Sequence, residues 1–169
     1  MIQGQAVEAA RKAKLRNLSL DLIYGLPRQT QERWMENLSA AVALNPEHLS
    51  CYGLKVEEGT PLFAVKDTAG LPGDEEQADM YLQTVEFLKQ YGYIQYEISN
   101  FAKPGYESRH NLKYWQLQEY AGFGPGAHSD FGGVRYAYAK DLDAYIAAAR
   151  GGQFLFSENT AIPPRERDA

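Results

Sequence analysis

This chain has little with which to ligate a metal or crosslink itself. Its 169 residues include one cysteine and three histidines. The lone Cys51 excludes an intramolecular disulfide and fits a reducing compartment. No pair of cysteines or histidines falls at metal-site spacing. Positive charge is also scarce: 17 Lys and Arg against 22 Asp and Glu give a net charge of -5. Without a basic block, a nucleic-acid groove is not expected. No apolar run approaches a membrane span, and the N-terminus lacks the apolar core of a signal peptide. No Ser/His/Asp arrangement is detectable. The expectation is a cytoplasmic protein with no nucleic-acid partner and no membrane span.

Apolar residues make up 44% of the chain, enough for a sizeable core. Twelve tyrosines are unusual at this length, and most lie between Tyr81 and Tyr145. Tyrosine sits where apolar and polar surroundings meet, so this half holds either a ligand cleft or an aromatic-rich core. Composition does not separate the two.

Residues 5–13 read as the end of a helix. Residues 17–23 alternate as a strand and break at Tyr24-Gly25-Leu26-Pro27. Thr30 caps a helix carrying Trp34, Leu38, Ala41 and Val42 at helical spacing, and Asn45-Pro46 ends it. Residues 48–54 form a second strand, followed by a turn at 58–61. A loop at 67–73 leads into an amphipathic helix over 75–90. Residues 93–98 read as a third strand, 111–118 as a short helix, 134–138 as another strand and 142–150 as a helix. Strands alternating with helices predict parallel pairing and an α/β fold, as part of a parallel (β/α) barrel or open sheet. Residues 1–150 are expected to form this part-barrel. Residues 151–169, ending in Pro163-Pro164-Arg165-Glu166-Arg167, read as a linker, and both ends look cut from something longer.

Asp21 lies in an apolar strand just before its break, where parallel folds bind ligands. A functional carboxylate and a structural ion pair stand level there. Glu57-Glu58-Gly59-Thr60-Pro61 follows the second strand, and Tyr96-Glu97-Ile98-Ser99-Asn100-Phe101 ends the third. Successive strands thus bring polar groups to one rim. Residues His110-Asn111-Leu112-Lys113-Tyr114-Trp115 put a nitrogen ligand, a planar amide and two large aromatics within two helical turns. Those are suitable parts for gripping an iron-bearing ring such as heme. The plainer reading makes Tyr114 and Trp115 core packing and His110 a helix cap. The glycine-rich loop 122–129 lacks the setting of a dinucleotide fingerprint, and His128 after it reads as structural.

Taken in order, Asp21-Leu22-Ile23-Tyr24-Gly25-Leu26-Pro27-Arg28-Gln29-Thr30, the Glu57-to-Pro61 and Tyr96-to-Phe101 segments, the hexapeptide from His110 and the loop Gly122-to-Ser129 resemble one family. It is the oxygen-independent coproporphyrinogen III oxidase family of radical S-adenosylmethionine (SAM) proteins. The hexapeptide resembles its heme chaperone branch. The resemblance implies the second half of a radical SAM TIM-like barrel. In that family a CxxxCxxC loop binds a [4Fe-4S] cluster and SAM ligates its open iron. That loop is absent from these residues, so no cluster is expected in this chain, and catalysis by the chain alone is not expected either. The resemblance further implies that Asp21 touches SAM, with Ile23 and Lys55 beside it, and that His110 ligates heme iron with Asn111, Tyr114 and Trp115 around it. Function is then heme binding for delivery to an acceptor protein. The alternative is oxidative decarboxylation of coproporphyrinogen III in porphyrin biosynthesis. A cut barrel edge would favour homo-oligomers.

Overall fold

A computed structural model describes residues 2–163. It comprises two compact units, Met1–Glu107 and Ser108–Ala169. In the first unit, helix α1 (Ile2–Lys12) precedes strand β1 (Ser19–Tyr24), helix α2 (Gln31–Ala43) and strand β2 (His48–Gly53). β1 and β2 pair in parallel from Ser19↔His48 to Tyr24↔Gly53, as a helical crossover permits. α2 begins where Thr30 Oγ1 accepts from the Arg33 amide at 3.3 Å. It is closed by Asn45, held left-handed at φ 55°, a conformation asparagine tolerates. A short helix α3 (Pro61–Ala64), capped by Thr60, then leads to the long helix α4 (Asp74–Gln90). Three acidic residues in its first turn suit the positive end of the helix dipole.

The apolar stripe of α2 and that of α4 cover one face of the sheet. Trp34, Leu38, Ala41, Met80 and Leu88 join Leu22, Leu49, Cys51, Tyr93 and Phe101 in a single core. Inside it the Trp34 indole N–H donates to Thr84 Oγ1 at 2.8 Å, and the Thr84 hydroxyl donates to the Met80 carbonyl at 2.7 Å. α1 is fastened by Arg11, which donates to both Glu47 carboxylate oxygens at 3.0 and 2.9 Å.

The sheet is mixed, which corrects the all-parallel expectation. Its order is β1-β2-β4-β3, where β3 is Ile94–Gln95 and β4 is Asn100–Ala102. β4 runs antiparallel to both β2 and β3. The strand expected over 93–98 therefore survives as β3 alone, parallel in direction to β2 but one place removed from it. The cause is a tight reversal. Glu97 turns its carboxylate onto the Ser99 amide at 2.9 Å, and the Tyr96 amide donates to the Asn100 carbonyl at 3.2 Å. The chain doubles back before β3 can reach β2. Four strands leave an open sheet and no closed barrel among the described residues.

The second unit holds helix α5 (Arg109–Trp115), strands β5 (His128–Phe131) and β6 (Val134–Tyr138), helix α6 (Leu142–Arg150) and strand β7 (Phe156–Ala161). β5, β6 and β7 form an antiparallel sheet in that order. The strand at 134–138 is thus not a fourth parallel strand. Gly132 and Gly133, at φ 64° and 80°, make the two-residue turn that folds it directly against β5. Within the segment read as a linker, residues 156–161 form a strand through their antiparallel pairing with β6, and Phe156 stacks on Tyr138 at 5.5 Å and 21°. Pro164-Arg165-Glu166-Arg167 lies outside the described residues. Among the described residues no helix is long and apolar enough to cross a membrane.

Candidate functional site

Strand alternation in β1 sends Leu22 into the core and leaves Asp21 and Ile23 on the uncovered face, Ile23 at 46% exposure. The register carries this face across the sheet. Asp21 pairs with Ser50, which pairs with Asn100, and Ile23 pairs with Tyr52. A polar row, Asp21–Ser50–Asn100, thus lies beside an apolar one. Ser50 and Asn100 are buried, and Asn100 Oδ1 has no hydrogen-bond partner among the described residues. A buried amide oxygen without a donor is costly, and it points to a donor supplied from elsewhere.

The adjoining row is closed by a clamp. His48 Nδ1 lies 2.8 Å from the Ser19 hydroxyl and its Nε2 lies 2.7 Å from the Tyr96 hydroxyl. Burial pushes the His48 pKa down, against the pull of Asp21 and Glu97. Both ring nitrogens are engaged, so this histidine is an internal brace. Lys55, just past β2, is exposed and pairs with Glu57 at 2.7 Å; Glu58 is exposed. Cys51 is buried on the core face, and desolvation, aided by Asp21, pushes its thiol up to about 12. It is a poor metal ligand, since ligation needs the thiolate.

In the second unit Ser108 caps α5, its hydroxyl accepting from the Asn111 amide at 3.3 Å. His110 is therefore not the cap. One turn apart on one helix face, His110 Nε2 and the Tyr114 hydroxyl lie 3.0 Å from each other, with the rings edge-on at 5.1 Å. Tyr114 in turn meets Tyr120 at 4.6 Å, also edge-on. Tyr114 and Trp115 are 43% and 56% exposed. Within their unit they are surface aromatics rather than core. Asn111 follows His110 and shares a face with Trp115 by the same four-residue spacing.

The glycine loop serves its own unit. A Cβ on Gly122 would run into the His128 carbonyl oxygen, and the Gly122 amide donates to the fully buried Ser129 hydroxyl at 2.9 Å. His128 itself is an exposed residue of β5. Among the described residues no three His, Cys, Asp or Glu side chains could hold a metal ion together.

Ser19, His48 and Ser50 were not singled out from sequence. Ser50 was within reach, because it is third in β2 as Asp21 is third in β1, and parallel neighbours share faces. The His48 clamp had no such signal.

No family model matches the chain. It is 43% identical over 162 residues to the heme chaperone HemW of Bacillus subtilis, covering 95% of this chain and 43% of that protein. It is 45% identical over 127 residues to the Escherichia coli heme chaperone HemW, covering 72% and 33%. The mitochondrial radical S-adenosyl methionine domain-containing protein 1 of Danio rerio is 40% identical over 75% of this chain and 29% of its own length. The chain thus spans about two fifths of the length of the Bacillus relative. The solved coproporphyrinogen III oxidase (HemN) of Escherichia coli, a radical SAM enzyme, superposes with a TM-score of 0.77 at 24% identity, over 95% of this chain and 40% of that one. That likeness concerns the fold.

Proposed function

Since this chain belongs to the oxygen-independent coproporphyrinogen III oxidase-like family of radical SAM proteins, in its heme chaperone branch, we propose that it supplies the heme-gripping helix of a heme chaperone. Heme is the cargo, taken for delivery to an acceptor protein. The observation that carries this reading is the pairing on α5 of an exposed histidine with two exposed aromatics. His110 offers a nitrogen to the iron, Tyr114 and Trp115 offer faces to the macrocycle, and Asn111 lies beside them. Large aromatics left on a surface are what such a ring would cover.

The first unit is assigned to SAM. Asp21 and the orphaned Asn100 Oδ1 are acceptors, and SAM presents ammonium and hydroxyl donors. The acceptor row therefore suits it, with Ile23 and Lys55 at the margin of the same region. A [4Fe-4S] cluster does not suit these residues, because the one thiol is buried in β2 with its pKa raised. No step is assigned to a cluster here. The oxidase alternative draws on the 24% fold likeness, whereas the chaperone reading draws on relatives above 40% identity.

The test is a heme titration read at the Soret band. His110→Ala should shift or abolish the band and His128→Ala should leave it intact. An unchanged band in His110→Ala would return the hexapeptide to a purely structural role.

A further inference from the structure

Imidazole has two nitrogens, and they are not equally open to a wide ligand. Nδ1 adjoins the ring carbon that carries Cβ, so a macrocycle bound there would press on the backbone of α5. Nε2 stands at the far end of the ring and is the nitrogen that heme can reach. In this structure Nε2 is the one held by the Tyr114 hydroxyl, at 3.0 Å. The tyrosine is itself supported: its ring packs edge-on against Tyr120 at 4.6 Å. Tyr120 is tied to the sheet by paired backbone bonds with Asp130, at 2.8 and 3.0 Å. The hydroxyl is thus presented to the histidine from a braced platform rather than from a free side chain.

We propose, resting on the reading that His110 ligates heme iron, that Tyr114 is a built-in competitor for the ligating nitrogen. When iron binds, the Nε2 lone pair goes to the metal and the Tyr114 hydroxyl returns to water. When iron leaves, the hydroxyl retakes the nitrogen. Both tautomers give the same result. If Nε2 carries the proton, that proton must move to Nδ1 before iron can bind, so the hydrogen bond still has to break. Tyr114 here has two opposed effects. Its ring offers a face to the macrocycle, and its hydroxyl lowers the affinity of the histidine. A carrier that must hand heme on gains from that opposition, because the internal competitor stabilises the emptied site and so lowers heme affinity.

The experiment replaces Tyr114 by Phe, which keeps the ring and deletes the hydroxyl. Heme affinity is read by Soret titration of the full chain, and release by transfer to excess apomyoglobin. An exposed hydrogen bond of this kind contributes modestly, so Tyr114→Phe should bind heme roughly two- to tenfold tighter and release it correspondingly more slowly. The absorption spectrum of the complex should stay that of the parent, since the axial ligand is unchanged. A purely structural tyrosine would give weaker binding on losing its hydroxyl. Equal or weaker binding in Tyr114→Phe, while His110→Ala still abolishes the Soret band, overturns the competitor and leaves the ligand assignment standing. A Soret band that survives His110→Ala overturns both.

Discussion

Replacing Thr84 by valine removes one oxygen from the middle of the first unit's core and little else. Thr84 and Trp34 are 0% and 1% exposed, and the bond between them is 2.8 Å long. Without the hydroxyl, the indole N–H is left buried with no acceptor, which costs about 1–3 kcal/mol. The lost donation to the Met80 carbonyl adds little, because the helix ladder still engages that oxygen. Trp34→Phe carries a separate cost from the volume it empties. In the Trp34→Phe background the threonine hydroxyl no longer serves a donor, so Thr84→Val should then cost under about 0.5 kcal/mol. The four proteins of this cycle are compared by urea unfolding followed by far-UV circular dichroism, since Trp34→Phe removes a fluorophore. The coupling between the two sites should reach about 1 kcal/mol or more. A Thr84→Val cost that is the same in both backgrounds would refute the reading that the buried indole N–H depends on the Thr84 hydroxyl for its acceptor.

Two further outcomes follow from geometry. Burial lowers the His48 pKa below its ordinary 6.5, so the unfolded chain binds the extra proton first as pH falls. Stability should therefore decline below about pH 6.5, and that part of the decline should vanish in His48→Asn when urea midpoints are compared across pH. Gly122→Ala drives a methyl group into the His128 carbonyl oxygen and should destabilise the second unit by about 1–3 kcal/mol. Gly151→Ala, whose Cβ would meet ordinary contacts at 3.4 Å, should be close to neutral when both variants are compared by thermal melting.

How far the sequence could be read depended on whether a signal was local. α2 and the strands either side of it were legible, because Thr30 marks a start, Asn45-Pro46 marks a stop, and Trp34, Leu38 and Ala41 keep a helical period. The reversal at 96–99 was not, because no glycine or proline announces it; a Glu97 side chain does the turning. Gly132-Gly133 is a usable hairpin signal, but His128 and Ser129 close the glycine-rich loop 122–129 in the sequence reading, which hides the first strand of the hairpin. At the candidate sites, the four-residue spacing of His110 and Tyr114 is the signal by which their contact could have been found. Their exposure could not be foretold, because burial depends on what the rest of the unit leaves uncovered. The His48 clamp joins residues 29 and 48 positions apart in the chain, and single-sequence patterns carry no information at that range.

The two tryptophans are divided between the two units, Trp34 buried in one and Trp115 half exposed in the other. This makes the chain its own pair of spectroscopic reporters. Trp34 emission should start blue-shifted and move to the red when the first unit opens, whereas Trp115 emits from water from the outset. The sole thiol, shut inside the first unit and hard to ionise, adds a chemical clock for the same opening. Under the proposed grip, heme seated on α5 would quench Trp115, so the same cuvette would report heme binding and core integrity without an attached label.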